Sequence, residues 1–224
     1  MDPKNCNCVI TGVSGATGSA IRAELLKKGA TVIGTVRPKH IQTLTQVSPN
    51  DYQIGMDPLN RRSIDSAITQ ISQQLTQVHV WVNIIGGFDM GSLIEDYSTE
   101  SWERMYALNY LTVLNSSQAI IPHFKTFQSG RLINFGSAAV AEGMAQAAPY
   151  LVSKGAVHSL TKACASELNG DITCNAILPT IIDTKANRDA MPDADFSEWV
   201  LPETIASQIS KLISNQSNGA LIQI

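Results

Sequence analysis

The sequence has no apolar stretch approaching the ~20 residues that a membrane-spanning helix needs. Its first residues, Met1-Asp2-Pro3-Lys4, have neither the basic nor the apolar region of a secretory signal. A soluble, cytoplasmic protein is expected. Charge is sparse: Asp, Glu, Lys and Arg make up 16% of the 224 residues and the formal net charge is −3. With no basic excess, neither nucleic acid nor an anionic membrane is an expected partner, and a small molecule is. There are four cysteines and four histidines. Cys6 and Cys8 stand two apart in a predicted strand, too close for a comfortable disulfide, and His40, His79, His123 and His158 are scattered without metal-ligand spacing. Free thiols, with Cys164 and Cys174 among them, and no metal site are expected.

What the chain does have is apolar residues, 44% of the total, enough to bury a large core in one domain spanning 1–224. Strand-length apolar runs alternate with amphipathic helical stretches from end to end. That alternation predicts an α/β protein: a single Rossmann-type, doubly wound domain with a seven-stranded parallel sheet flanked by helices. The strands are expected at 8–10, 31–36, 52–56, 78–84, 130–135, 173–178 and 220–224, and the helices at 19–28, 61–75, 99–127, 148–168 and 202–214. No repeat or flexible linker interrupts the series.

Directly between the first strand and the first helix runs Thr11-Gly12-Val13-Ser14-Gly15-Ala16-Thr17-Gly18. Gly12 permits a tight turn, the small Gly15 and Ala16 let a pyrophosphate approach backbone N–H groups, and Gly18 lets the helix lie close to the strand. In this position the turn predicts dinucleotide binding. The end of the second strand reads Val36-Arg37-Pro38, with no carboxylate to accept from a ribose 2′-hydroxyl and an arginine suited to a 2′-phosphate, so NADP(H) is expected over NAD(H). Asp57, after the third predicted strand, is placed either to meet the adenine amino group or to cap a helix.

Tyr150 and Lys154 stand one helical turn apart on one face, and Ser137 lies thirteen residues upstream of Tyr150. A nearby cation stabilises a phenolate, so the pair suits a proton donor whose pKa must fall from about 10.

Taken together, these motifs resemble the short-chain dehydrogenase/reductase family over nearly the full length. The matched residues are the Thr11-to-Gly18 turn, Asn83-Ile84-Ile85-Gly86, Asn109, Ser137, Tyr150, Lys154 and Asn175-Ala176-Ile177-Leu178-Pro179. The resemblance implies that Tyr150 donates a proton to a carbonyl as hydride reaches its carbon. It implies that Lys154 lowers the Tyr150 pKa and holds the nicotinamide ribose, that Ser137 positions the substrate oxygen, and that Asn109 holds a water linking Lys154 to solvent. Read without it, Ser137 is a turn or capping serine and Asn109 a buried amide bonded to backbone. The cofactor set it implies is Gly12, Ser14, Gly15, Ala16, Thr17, Gly18, Arg37, Asp57, Asn83, Gly86, Tyr150, Lys154, Pro179, Thr180, Ile182 and Thr184. Ile84 and Ile85 replace the family's usual Asn-Ala, and Thr180 stands where glycine often follows the proline. By analogy a homodimer or homotetramer is expected, paired through helices that include the apolar run at 106–121.

The segment 180–202 carries Met191, Phe196 and Trp199 among few charges. It reads either as a lid over a small apolar or aromatic substrate or as a loop pinned by its aromatics. Its residues, with Lys154-Gly155-Ala156-Val157-His158 and the ending Gly219-Ala220-Leu221-Ile222-Gln223, look like dihydropteridine reductases, whose members usually carry an acid where Arg37 stands and no serine where Ser137 stands. The expected reaction is therefore NADPH-dependent reduction of a carbonyl on a small, largely apolar or aromatic substrate. Reduction of a quinonoid pterin is the alternative, and a catalytically silent NADP(H) sensor is the alternative of another class.

Overall fold

The computed structural model describes residues 1–224. In chain order the elements are β1 (Asn7–Ile10), α1 (Ala16–Lys27), β2 (Thr31–Val36), β3 (Thr45–Ser48), β4 (Asp51–Gly55), α2 (Arg61–Leu75) and β5 (Val80–Asn83). Next come α3 (Thr99–Met105), a π-helical turn (Tyr106–Leu111), α4 (Thr112–Phe127), β6 (Ser129–Phe135), α5 (Ala139–Glu142) and α6 (Ala148–Glu167). The chain finishes with β7 (Asp171–Leu178), α7 (Lys185–Ala190), α8 (Pro202–Ser214) and β8 (Leu221–Gln223). One sheet holds every strand in the order β3-β4-β2-β1-β5-β6-β7-β8, so the order reverses at β1 and opens a crevice beyond the strand ends.

The sheet has eight strands rather than the seven expected, and it is mixed rather than wholly parallel: β3 pairs antiparallel with β4 at one edge. All four β3 residues are exposed and the segment reads Thr-Gln-Val-Ser, so it carries no apolar pattern. Its register slips between Gln46 and Ser48, an irregularity typical of a guarded edge. The helix expected over 99–127 is likewise one continuous rod, but it widens into a π turn at Tyr106–Leu111, and Asn109 lies in that turn.

Both faces of the sheet are covered, and strand alternation sorts residues between them. Val9, Trp81 and Leu132 join Ile64, Ile71, Ile120 and Phe124 in a core under α2, α4 and α6. Their neighbours Cys8, Ile10, Val80, Val82 and Ile133 join Ile21, Leu25, Ile205 and Ile209 under α1 and α8. A polar ladder crosses the first core. Trp81 Nε1 donates to Asn83 Oδ1 (2.9 Å), Asn83 Nδ2 to Asn134 Oδ1 (2.9 Å) and Asn134 Nδ2 to Thr161 Oγ1 of α6 (3.0 Å). Every rung is buried, so each is strong where water cannot compete, and together they tie α6 to the strand ends.

Asn134→Ala leaves the buried Asn83 Nδ2 without its acceptor and removes the tie to Thr161, whose hydroxyl keeps its bond to Val157 O. It is expected to lower the unfolding free energy by about 2 kcal/mol, read from urea denaturation.

Candidate functional site

The glycine turn is built by backbone requirements. Gly12 has φ +70°, a conformation in which L side chains are strained, and its carbonyl accepts from Gly15 N–H at 3.2 Å. A Cβ at Gly18 would stand 2.6 Å from the Gly12 carbonyl oxygen and 2.9 Å from Val13 Cα, so only glycine lets α1 start this close to β1. Gly15 caps α1 without a side-chain hydrogen bond, which leaves the first-turn N–H groups open toward an anion. Thr11 fixes the floor: its hydroxyl donates to Val82 O (3.2 Å) and accepts from Ile84 N–H (2.9 Å).

A cavity of about 980 Å³ opens over this turn. Of the residues assigned to the cofactor, Gly12, Ser14, Gly15, Ala16, Thr17, Gly18, Arg37, Asp57, Gly86 and Thr184 line it. Asn83, Pro179, Thr180, Ile182, Tyr150 and Lys154 do not. The Asn83 amide is taken up by Trp81 and Asn134 in the sheet ladder. Asp57 does not cap α2, because Asn60 does; its carboxylate accepts from Leu59 N–H at 3.0 Å on the cavity rim. Sequence reasoning passed over Lys39, which lines the cavity with Arg37 and stands only two residues further on. Ile84, Ile85 and Leu108 supply an apolar wall. The size and the open amides fit a dinucleotide.

At the Gly86 end the cavity meets a buried polar cluster. Tyr150 and Lys154 lie one turn apart in α6, and the Lys154 ammonium donates to the Phe135 carbonyl at 2.9 Å. A Cβ at Gly86 would fall 3.2 Å from Lys154 Nζ and 2.8 Å from Asn109 Oδ1, so that end of the cavity borders both groups directly. Burial pushes the Tyr150 phenol above its ordinary 10.0, and hydrogen bonding to Ser137 pulls it back in part. Ser137 itself is buried, with its N–H directed to His158 Nε2 at 3.3 Å.

Asn109 is fully buried and its amide is occupied. Oδ1 accepts from Gly87 N–H (2.7 Å), while Nδ2 donates to Gly87 O and to Ser153 Oγ (3.0 Å each). Its side chain is thus a clamp on the loop after β5. The next residue, Phe88, also escaped sequence reasoning: it is half-exposed and stands edge-on to Tyr150, with ring centroids 4.8 Å apart.

The segment 180–202 is less irregular than expected. It contains α7, capped by Thr184 Oγ1, and Ile182 pairs with Val200. Trp199 is buried, Phe196 packs on it at 4.6 Å, and Arg188 lies over Phe196 at 4.7 Å while pairing with Asp183. These two aromatics pin the segment. Met191 is exposed, and Thr184, Lys185 and Ala186 line the cavity.

Residues 7–195 match the family model described as short chain dehydrogenase. The chain is 27% identical over 215 residues to an NADPH-dependent pterin aldehyde reductase of Arabidopsis thaliana, covering 94% of this chain and 88% of the relative. It is 26% identical over 233 residues to a 3-oxoacyl-[acyl-carrier-protein] reductase of Thermotoga maritima, covering 97% and 94%. Among solved structures, the ligand-free aldohexose dehydrogenase of Thermoplasma acidophilum superposes with a TM-score of 0.85 at 24% identity, covering all of this chain and 94% of that one.

Burial pushes the Lys154 amine down from its ordinary 10.5 to about 8. Between those values the unfolded chain keeps a proton that the folded chain has released, so stability rises with pH across that window and is lowest below it, where folding buries the cation. Lys154→Met is expected to unfold at higher urea than the parent at neutral pH. The gap should narrow as pH climbs through 8 toward 10.5, which urea midpoints over a pH series would measure.

Proposed function

The chain belongs to the short-chain dehydrogenase family and is an NAD(P)-dependent oxidoreductase acting on a small molecule, and from that premise we propose that it reduces a carbonyl on a small, largely apolar or aromatic substrate with NADPH. The observation that carries this reading is the buried Lys154 ammonium bordering the Gly86 end of the cavity, with the half-buried Tyr150 one turn before it on α6 and hydrogen-bonded to the buried Ser137. The bound nicotinamide supplies hydride to the carbonyl carbon. The chain's own residues do the rest: Tyr150 gives its phenolic proton to the carbonyl oxygen, and Ser137 donates a hydrogen bond that holds that oxygen. Lys154 holds the ribose with its ammonium and, with the cofactor in place, favours the phenolate left behind. Asn109, by clamping Gly87, keeps the loop after β5 in position. Pro179, Thr180 and Ile182 complete the nicotinamide end of the site.

Preference for NADPH is supported by Arg37 and Lys39, two cations on the cavity rim after β2 where NAD-binding relatives of this fold use a carboxylate. The Arabidopsis relative is named for NADPH dependence as well. Residues 180–202, pinned through Trp199 and Phe196, cover the substrate side with their exposed part at Met191, and exposed Phe88, Met90 and Met144 suit an apolar, planar ligand. A second reading, reduction of a quinonoid pterin, is favoured by the lid resemblance, and the relative named a pterin aldehyde reductase supports a pterin-bearing substrate under either reading. The chain forms one domain and assembles as a homodimer or homotetramer. Its four free, buried thiols suit a reducing, cytoplasmic compartment, and no helix is long and apolar enough to cross a membrane.

NADPH oxidation measured with aldehydes, diketones, 3-oxoacyl thioesters, a pterin aldehyde and a quinonoid dihydropterin separates the readings. Turnover of the carbonyl compounds is expected, and turnover of the quinonoid dihydropterin alone would overturn the main one. Tyr150→Phe is expected to lower kcat at least ~100-fold while leaving NADPH binding intact. Arg37→Asp is expected to cut kcat/KM for NADPH by roughly 10- to 100-fold, with NADH spared.

A further inference from the structure

Where the chain leaves β6 its backbone groups turn in two directions. The N–H groups of Gly136 and Ala138 go to the Ile177 and Pro179 carbonyls beside β7, at 2.9 and 3.1 Å. The N–H of Ser137, between them, faces the other way, and there His158 Nε2 receives it at 3.3 Å. His158 stands on α6 one turn beyond Lys154 and two beyond Tyr150, and Lys154 Nζ takes the Phe135 carbonyl at 2.9 Å. Helix α6 therefore engages both polar backbone groups on its side of this exit, one by donating and one by accepting.

We propose that His158 is a positioning residue, whose neutral imidazole accepts the Ser137 N–H and so fixes the Ser137 hydroxyl against Tyr150. The inference rests on the reading of Ser137 and Tyr150 as the pair that holds the substrate oxygen. The imidazole fits because residue 136 is glycine: a Cβ there would lie 2.3 Å from His158 Nε2 and 2.4 Å from Leu178 Cδ2. Nε2 accepts only when the ring proton is on Nδ1, and a second proton turns Nε2 into a donor facing another donor. The charged groups bearing on the ring are Lys154 and Lys162 of its own helix. The residues packed against it from elsewhere, Gly136, Ser137 and Leu178, bring no ionisable side chain. Burial and the two lysines hold the imidazole pKa below its ordinary 6.5, so the acceptor persists at neutral pH and is lost in acid.

Two measurements test this. In ¹⁵N-labelled protein, the Ser137 amide resonance is expected to move as His158 titrates in acid, and to stay fixed in His158→Gln, whose Oε1 accepts without titrating. An amide that ignores the titration in the parent, or that moves equally in the glutamine variant, overturns the hydrogen bond. In NADPH-dependent turnover of phenanthrenequinone, or of another carbonyl compound the parent reduces, His158→Leu is expected to lose roughly tenfold in kcat with KM for NADPH unchanged. His158→Gln should keep kcat near the parent and lose its acid limb. Equal loss in both variants would make His158 mere packing and overturn the proposal, as would a leucine variant as active as the parent. A parent inactive on every carbonyl tested, while the amide still tracks His158, would refute the reaction and the purpose assigned to His158 while leaving the bond itself.

Discussion

A buried ammonium with no carboxylate beside it constrains this site more than any other single feature. Lys154 takes part in no ion pair, and its donor goes to one backbone carbonyl, that of Phe135. Burying a cation on such terms is costly, as its depressed pKa records. The surroundings are arranged to hold it. Strand β6 ends with its carbonyl turned to α6, Gly86 has no side chain to displace the amine, and the ladder from Trp81 through Asn83 and Asn134 to Thr161 anchors α6 against the sheet. An ammonium poised with spare hydrogen-bonding capacity is the feature that a bound ribose and a phenolate can use.

Much of this was legible in the sequence because the features concerned are local. Buried parallel strands read as short apolar runs, and the glycine turn is set by backbone sterics at Gly12 and Gly18. The spacing of Tyr150 and Lys154 needs nothing more than a helix. The edge strand β3 was not legible, since it is polar and exposed and exists only through pairing with β4. Nor was the use of each polar side chain: Asn83 and Asn109 stand where the family pattern puts them, but neighbours distant in sequence take up both amides. The acidity of Tyr150 shows the same limit. The spacing says that a cation stands one turn away, while the fold adds a burial that pushes the phenol up.

The two ends of the site differ in how general they are. The nucleotide end is made from backbone and glycine, with Arg37 and Lys39 as its individual marks. The proposed substrate end is made from side chains: Phe88 edge-on to Tyr150, Met90 and Met144 exposed nearby in the sequence, and a segment stapled by Trp199, Phe196 and Arg188. On the proposed reading, cofactor binding and substrate selection are thus carried by separate parts of the crevice beyond the strand ends.

The most direct test of the account is a crystal structure of the protein with NADP and a non-reacting carbonyl analogue. The account predicts the analogue's oxygen within ~3.2 Å of both Tyr150 Oη and Ser137 Oγ, with the Lys154 ammonium on the nicotinamide ribose. An oxygen out of hydrogen-bond reach of both hydroxyls, with the cofactor properly seated, would contradict it.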